Sequence, residues 1–183
     1  MSNNPLRIED RIKKVDDGAG GIIDETVKFP VWFEPTSKGG TPMCAALKQA
    51  SELMKQWAVD HPTSFPPVII NITDGESSDG DPVLAAKELQ MVETGDGPCI
   101  VLNIHLSDKQ APPLELPSSD VALADDFAKQ LFNMSSMLTP FMVARAKELG
   151  MAVEDSSRGF VFNAQAVQVI QFLDIGTRPA NLR

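Results

Sequence analysis

Three short apolar runs limit what this chain can fold into more than any other feature: PPVIINI (66–72), CIVLNIHL (99–106) and GFVFNA (159–164). PPVIINI is a continuous β-branched run, the kind buried on both faces of a parallel sheet, and CIVLNIHL reads as a second buried strand. GFVFNA supplies a third. Helical patterns lie before, between and after them. Met43, Ala46, Leu47, Ala50, Leu53, Met54 and Trp57 recur at steps of three and four, which predicts an amphipathic helix from 42 to about 58. Thr41 is its natural N-cap, with Pro42 in the first helical position. Asp81 and Pro82 open a second helix, to about Val92. Leu123, Phe127, Gln130 and Leu131 mark a third, and Thr139 with Pro140 starts a fourth that stops at Gly150. Asn163 is expected to cap a last helix, with Val167, Ile170 and Leu173 on its apolar side and Gly176 just beyond it. Strands alternating with helices imply right-handed crossovers and a parallel, doubly wound α/β sheet covered on both faces.

That architecture is expected for residues 41–177, with 178–183 as a tail. The segment 1–40 is of another kind. VDDGAGG is a flexible Gly-rich loop, and VKFPVWFEP is extended but carries Pro30, which keeps it out of a central strand. It is an edge strand at best.

Charge narrows the partners. Sixteen Lys and Arg against 25 Asp and Glu give a net charge of -9, which disfavours nucleic acid or an anionic membrane surface and favours a cation or a basic protein patch. No apolar run approaches the roughly 20 residues of a membrane span, and MSNNPLRIEDRIKK lacks the apolar core of a secretory signal. A cytoplasmic setting is therefore expected. Cys44 and Cys99 sit among apolar residues and read as buried, reduced thiols rather than as a disulfide or metal pair.

The chemistry-bearing stretch is IINITDGESSDGD (69–81), where an apolar run breaks into four carboxylates and three hydroxyls. Ligands in open α/β sheets gather at the carboxyl ends of the strands, and Asp74 lies just past that end of VIINI. Thr41, in SKGGTPM, sits in a second loop that should reach the same edge, its two glycines allowing a tight turn. A hard cation such as Mg²⁺ takes oxygen ligands, keeps waters and needs one or two carboxylates. Thr41 and Asp74 are candidates for two of those oxygens. Thr41 also reads as a plain cap, and Asp74, Glu76, Ser77, Ser78, Asp79 and Asp81 as a solvated loop leading to the next helix. His61 reads as a loop residue and His105 as a packed side chain.

GGTPMCAALKQASELM followed by PPVIINITDGESSDGD resembles the central part of a von Willebrand factor type A domain of the intracellular bacterial kind, and RGFVFNA with FLDIGTR fits its last strand and helix. The resemblance implies a three-layer, Rossmann-like fold with a mostly parallel sheet. It also implies a metal-ion-dependent adhesion site holding Mg²⁺ or Mn²⁺, for which Thr41 matches the family's Thr and Asp74 its Asp. Gly40, Gly75, Glu76 and Ser77 stand around those two as supporting residues. The family's Asp-x-Ser-x-Ser motif is absent, and so are its first strand, first helix and second strand. The chain thus matches only the later part of such a domain, the site should hold metal weakly or not at all, and VIINI should be left with an unpaired edge, an invitation to pair with another chain.

The function these features suggest is a non-enzymatic protein-interaction module. Its ion would bind an acidic residue of a partner protein once a complementing chain or the missing segment completes the site, and self-association through the open edge is expected. Two alternatives stand beside it. One is a Mg²⁺-dependent phosphoryl-transfer or hydrolytic enzyme with Asp74 as nucleophile or ligand and Glu76 or Asp79 as general acid or base. The other is a metal-free scaffold subunit.

Overall fold

The structure, a computed structural model, describes residues 4–36, 39–74, 76–107, 111–123 and 125–177. Gly75 and the tail 178–183 lie outside the described residues. The chain divides into two compact units, Met1–Gly39 and Gly40–Arg183.

The first unit is a hairpin. Strands β1 (Arg7–Asp16) and β2 (Ile22–Val31) pair antiparallel along their whole length, from Arg7↔Val31 to Asp16↔Ile22. VDDGAGG closes the turn between them. The Asp16 carboxylate accepts from the Gly18 N–H at 2.7 Å, and Asp17 accepts from Ala19 and Gly21 at 2.8 Å each. These Asx-type bonds replace ladder bonds where the chain reverses. Pro30 sits opposite Ile8, tolerated because each strand of a two-stranded ribbon keeps one free edge.

The second unit runs α1 (Met43–Asp60), β3 (Val68–Thr73), α2 (Val83–Gln90), a small hairpin of β4 (Glu93–Thr94) and β5 (Gly97–Pro98), then β6 (Ile100–His105), β7 (Leu114–Glu115), α3 (Asp126–Met134), α4 (Pro140–Glu148), β8 (Phe160–Phe162) and α5 (Ala166–Thr177). Its main sheet has the order β3-β6-β8-β7, with β3, β6 and β8 parallel and β7 antiparallel. The three expected strands form the parallel part; β7 comes from the Pro-rich connection, which carried no strand signal.

Alternation along β6 and β8 sorts the core into two faces. Cys99, Val101, Phe160 and Phe162 pack with α1, α2 and α3, whereas Ile100, Leu102, Ile104 and Val161 pack with α4 and α5. Helices thus cover the sheet on both sides, an α/β arrangement compatible with a Rossmann-like fold. Cys99, 1% exposed, has its thiol pushed up by burial to about 12 and is inert filler.

Three local expectations fail. VIINI, expected to be buried on both faces, is only partly buried, Ile72 being 53% exposed, while its outer edge is left without a partner among the described residues, as the resemblance implied. Asn163 does not cap α5. It takes φ +51° and its side-chain oxygen accepts from the Ser107 N–H at 2.9 Å, while the helix starts at Ala166. Gly176 lies inside α5, buried, where an added Cβ would stand 2.6 Å from Leu102 Cδ1; it is small so that the helix can approach the sheet. No helix among the described residues is long and apolar enough to cross a membrane.

Candidate functional site

Strand β3 delivers Asp74 to the carboxyl end of the sheet, directly after Thr73 and exposed. The loop ahead of α1 arrives at the same place. Thr41 and Thr73 line one groove of about 290 Å³ with Pro42, Ala46 and Ile72, and the Ser78 N–H donates to the Thr41 carbonyl at 2.8 Å. Gly40 is what permits this closeness, since a Cβ there would lie 2.5 Å from Ser78 Oγ. Gly40, Thr41 and the 76–81 stretch are therefore brought together, while Glu76 turns towards a shallow hollow of about 370 Å³ with Ser77, Asp81, Asp126, Phe127 and Gln130.

Thr41 is not the cap of α1. Pro42 occupies the cap position without a side-chain bond, and the N–H groups of Cys44 and Ala45 donate instead to Asp79, at 3.0 Å to Oδ1 and 2.9 Å to Oδ2. The Ser77 hydroxyl donates to the same Oδ1 at 2.9 Å. A carboxylate supplied from 35 residues downstream thus closes the helix start, favoured by the positive end of the helix dipole. Desolvation is the largest single influence on Asp79 and works upward. The N–H groups of Ala45 and Cys44, the Ser77 hydroxyl and the Cys44 thiol together outweigh it and hold the carboxyl at about 2, against the ordinary 3.8.

Asp81 is engaged as well. It accepts from the Val83 N–H at the start of α2 and from Gln130 Nε2 of α3, both at 2.9 Å. The helix begins one residue later than expected, with Pro82 in the cap position.

Of the four carboxylates in the stretch, Asp79 and Asp81 hold helix starts, which leaves Asp74 and Glu76 exposed to solvent. Among the described residues no three His, Cys, Asp or Glu side chains gather as they would around a metal ion. Thr41 and Asp74 bring a hydroxyl and a carboxylate to the same end of the sheet, oxygens of the kind Mg²⁺ or Mn²⁺ takes when water fills the rest of its shell. His105 is packed between rings, 5.0 Å from Phe127 and 5.2 Å from Phe162.

No protein-family model, curated protein or solved structure matches this chain.

The capping role of Asp79 and the Gln130 contact were not legible in the sequence. Both span long separations, 35 and 49 residues, and capping patterns are local. The signal available was weaker: an acidic residue beyond a strand end has to find donors, and the first turn of a neighbouring helix is the nearest set.

Proposed function

We propose that this chain is a non-enzymatic protein-interaction module of von Willebrand factor type A kind, acting in the cytoplasm. In this reading Thr41 and Asp74 hold Mg²⁺ or Mn²⁺ as part of an incomplete adhesion site, and the ion receives an acidic residue of a partner protein. The observation that supports it most is the division of labour in the acidic stretch. Asp79 and Asp81 pin the loop to α1 and α2, and the exposed Asp74 directly follows Thr73, which lines one groove with Thr41 at the end of an open-edged strand. An ion held by few direct carboxylates keeps positive charge for an incoming one.

The same geometry weighs against the phosphoryl-transfer alternative. Asp79, offered as general acid or base, has both oxygens engaged by helix N–H groups and carries no proton at neutral pH. The metal-free scaffold gains from the use of two loop carboxylates as caps.

Because Thr41 makes no cap bond, its variants test the ligand role without disturbing α1. Titration with Mn²⁺ is expected to show weak binding that Asp74→Ala abolishes and Thr41→Val diminishes, at unchanged melting temperature. A second polypeptide carrying an apolar strand and an Asp-x-Ser-x-Ser loop should tighten it. Binding indifferent to both substitutions sinks the metal site, and no binding even with that polypeptide leaves the scaffold.

A further inference from the structure

A cleft of about 830 Å³ in the second unit opens at the other end of the sheet from Asp74. Phe65 and Pro66, just before β3, and Ile100, the first residue of β6, form one side of it; residues 135–137 and the first turn of α4 form another. Its size is that of a small-molecule site, and its walls are mainly apolar, as such sites are.

Among the described residues only two charged ones line it, Asp96 and Arg158. Arg158 is anomalous for this chain. Arg7, Arg11 and Arg145 each hold a carboxylate. Arg158, half-buried in a molecule of net charge -9, forms no ion pair among the described residues. It is nonetheless held firmly: Nη1 donates to the Ser135 carbonyl at 2.7 Å, the guanidinium lies 5.3 Å from the centre of the Phe132 ring, and its own N–H donates to the Pro117 carbonyl at 3.0 Å. A guanidinium has five N–H donors, and one carbonyl does not exhaust them. It also reaches a neighbouring hollow that contains Asp126, without pairing with it.

We propose that this cleft binds a small amphipathic monocarboxylate, its apolar body against Phe65, Met137 and Phe141 and its carboxylate on Arg158. The fork of the guanidinium matches a planar carboxylate, and a positioned cation inside a mostly apolar cleft favours an anion that water does not screen. Arg158 is the single cation among the described residues lining the cleft, enough for one carboxylate and not for two. The site is one of binding, not reaction: Cys99 in its lining is buried, and among the described residues no His lies there to activate it or a hydroxyl. This cleft lies apart from Thr41 and Asp74, and its ligand needs no metal there.

Titration calorimetry of the full chain with phenylbutyrate and with the neutral phenylbutanol tests it. The acid is expected to bind saturably and about tenfold or more tighter than the alcohol. Arg158→Gln should abolish that preference, Arg158→Lys should keep part of it, and Phe141→Ala should weaken acid and alcohol alike. The acid-to-alcohol ratio is read on folded protein, checked by melting; should Arg158→Gln not fold, the wild type and Arg158→Lys decide. Absence of saturable acid binding, equal affinity for acid and alcohol in the wild type, or a preference that survives Arg158→Gln overturns the proposal.

Discussion

Strands β3 and β6 lie side by side in one register, from Val68↔Ile100 to Thr73↔His105, and differ in nearly everything that register does not set. All six residues of β6 are buried; of β3 only Thr73 is. Strand β6 has partners on both edges and helices on both faces. Its one interior amide, Asn103, is satisfied by Asn71 and Ser135, each at 2.9 Å. Among the described residues strand β3 has one partner, and its residues 69–73 line a groove with the start of α1. Two runs of similar apolar composition thus have different fates because burial follows a strand's place in the sheet, and place is decided by which strands exist to flank it.

The comparison breaks most visibly in the core. Leu102→Ala, at a side chain fully buried and packed against Gly159 and Gly176, is expected to cost about 2–5 kcal/mol. Ile72→Ala, at a position 53% exposed, should cost less than about 1 kcal/mol. Urea unfolding of the two variants measures both. Similar losses would mean that β3 is covered in solution by something that buries Ile72 as well.

The same contrast recurs within the acidic stretch, between a carboxylate held at a helix start and one left free. Asp79→Asn is expected to lower the melting temperature and Asp74→Asn to leave it unchanged. The pH dependence follows from the sign of the shift. Asp79 titrates at about 2 when folded and near 3.8 when not, so its stabilisation is complete above the higher value and disappears as pH falls through the lower. Melting curves of wild type and Asp79→Asn should therefore converge towards pH 2. Curves separated by a constant gap down to that pH would show that the carboxylate charge is not what holds α1.

What the sequence reveals follows the reach of each signal. The strands β3, β6 and β8 are legible because β-branched and aromatic runs mark extended chain locally, and α4 because Thr139 and Pro140 announce its start; Thr139 does accept from the Met142 N–H, at 3.3 Å. The first hairpin is illegible for a local reason too. Ile8, Ile12 and Val15 are spaced four and three apart, as on a helix, while charged residues fill the positions between them on both faces of the ribbon. Thr41 misleads because Thr-Pro satisfies the local cap pattern, but a carboxylate from another loop reaches the helix start instead. The position of β3 at the edge was accessible only through the family resemblance, since strand order is a property of the sheet and no run of six residues encodes it.

The smallest effect on stability should come from a substitution with the largest effect on association. Ile72→Lys changes a half-exposed residue near the carboxyl end of β3, on the face shared by Val68 and Ile70 but beyond the cover α5 gives them, so folding stability should move by no more than about 0.5 kcal/mol. A lysine on an open strand edge is, however, one of the devices by which proteins prevent edge-to-edge pairing, because its ammonium cannot be desolvated beside a second strand. If the outer edge of β3 seeks a partner strand, the wild-type chain should self-associate with rising concentration in light scattering and the Lys variant should stay monomeric. Antiparallel pairing of two β3 strands about a two-fold axis would set each Asp74 near the Pro66–Pro67 end of the other strand, so the acidic loops would not oppose one another. A wild type that remains monomeric at high concentration, or a Lys variant that associates equally, would show that the edge is silent in the isolated chain. The contrast between β3 and β6 would then describe burial alone.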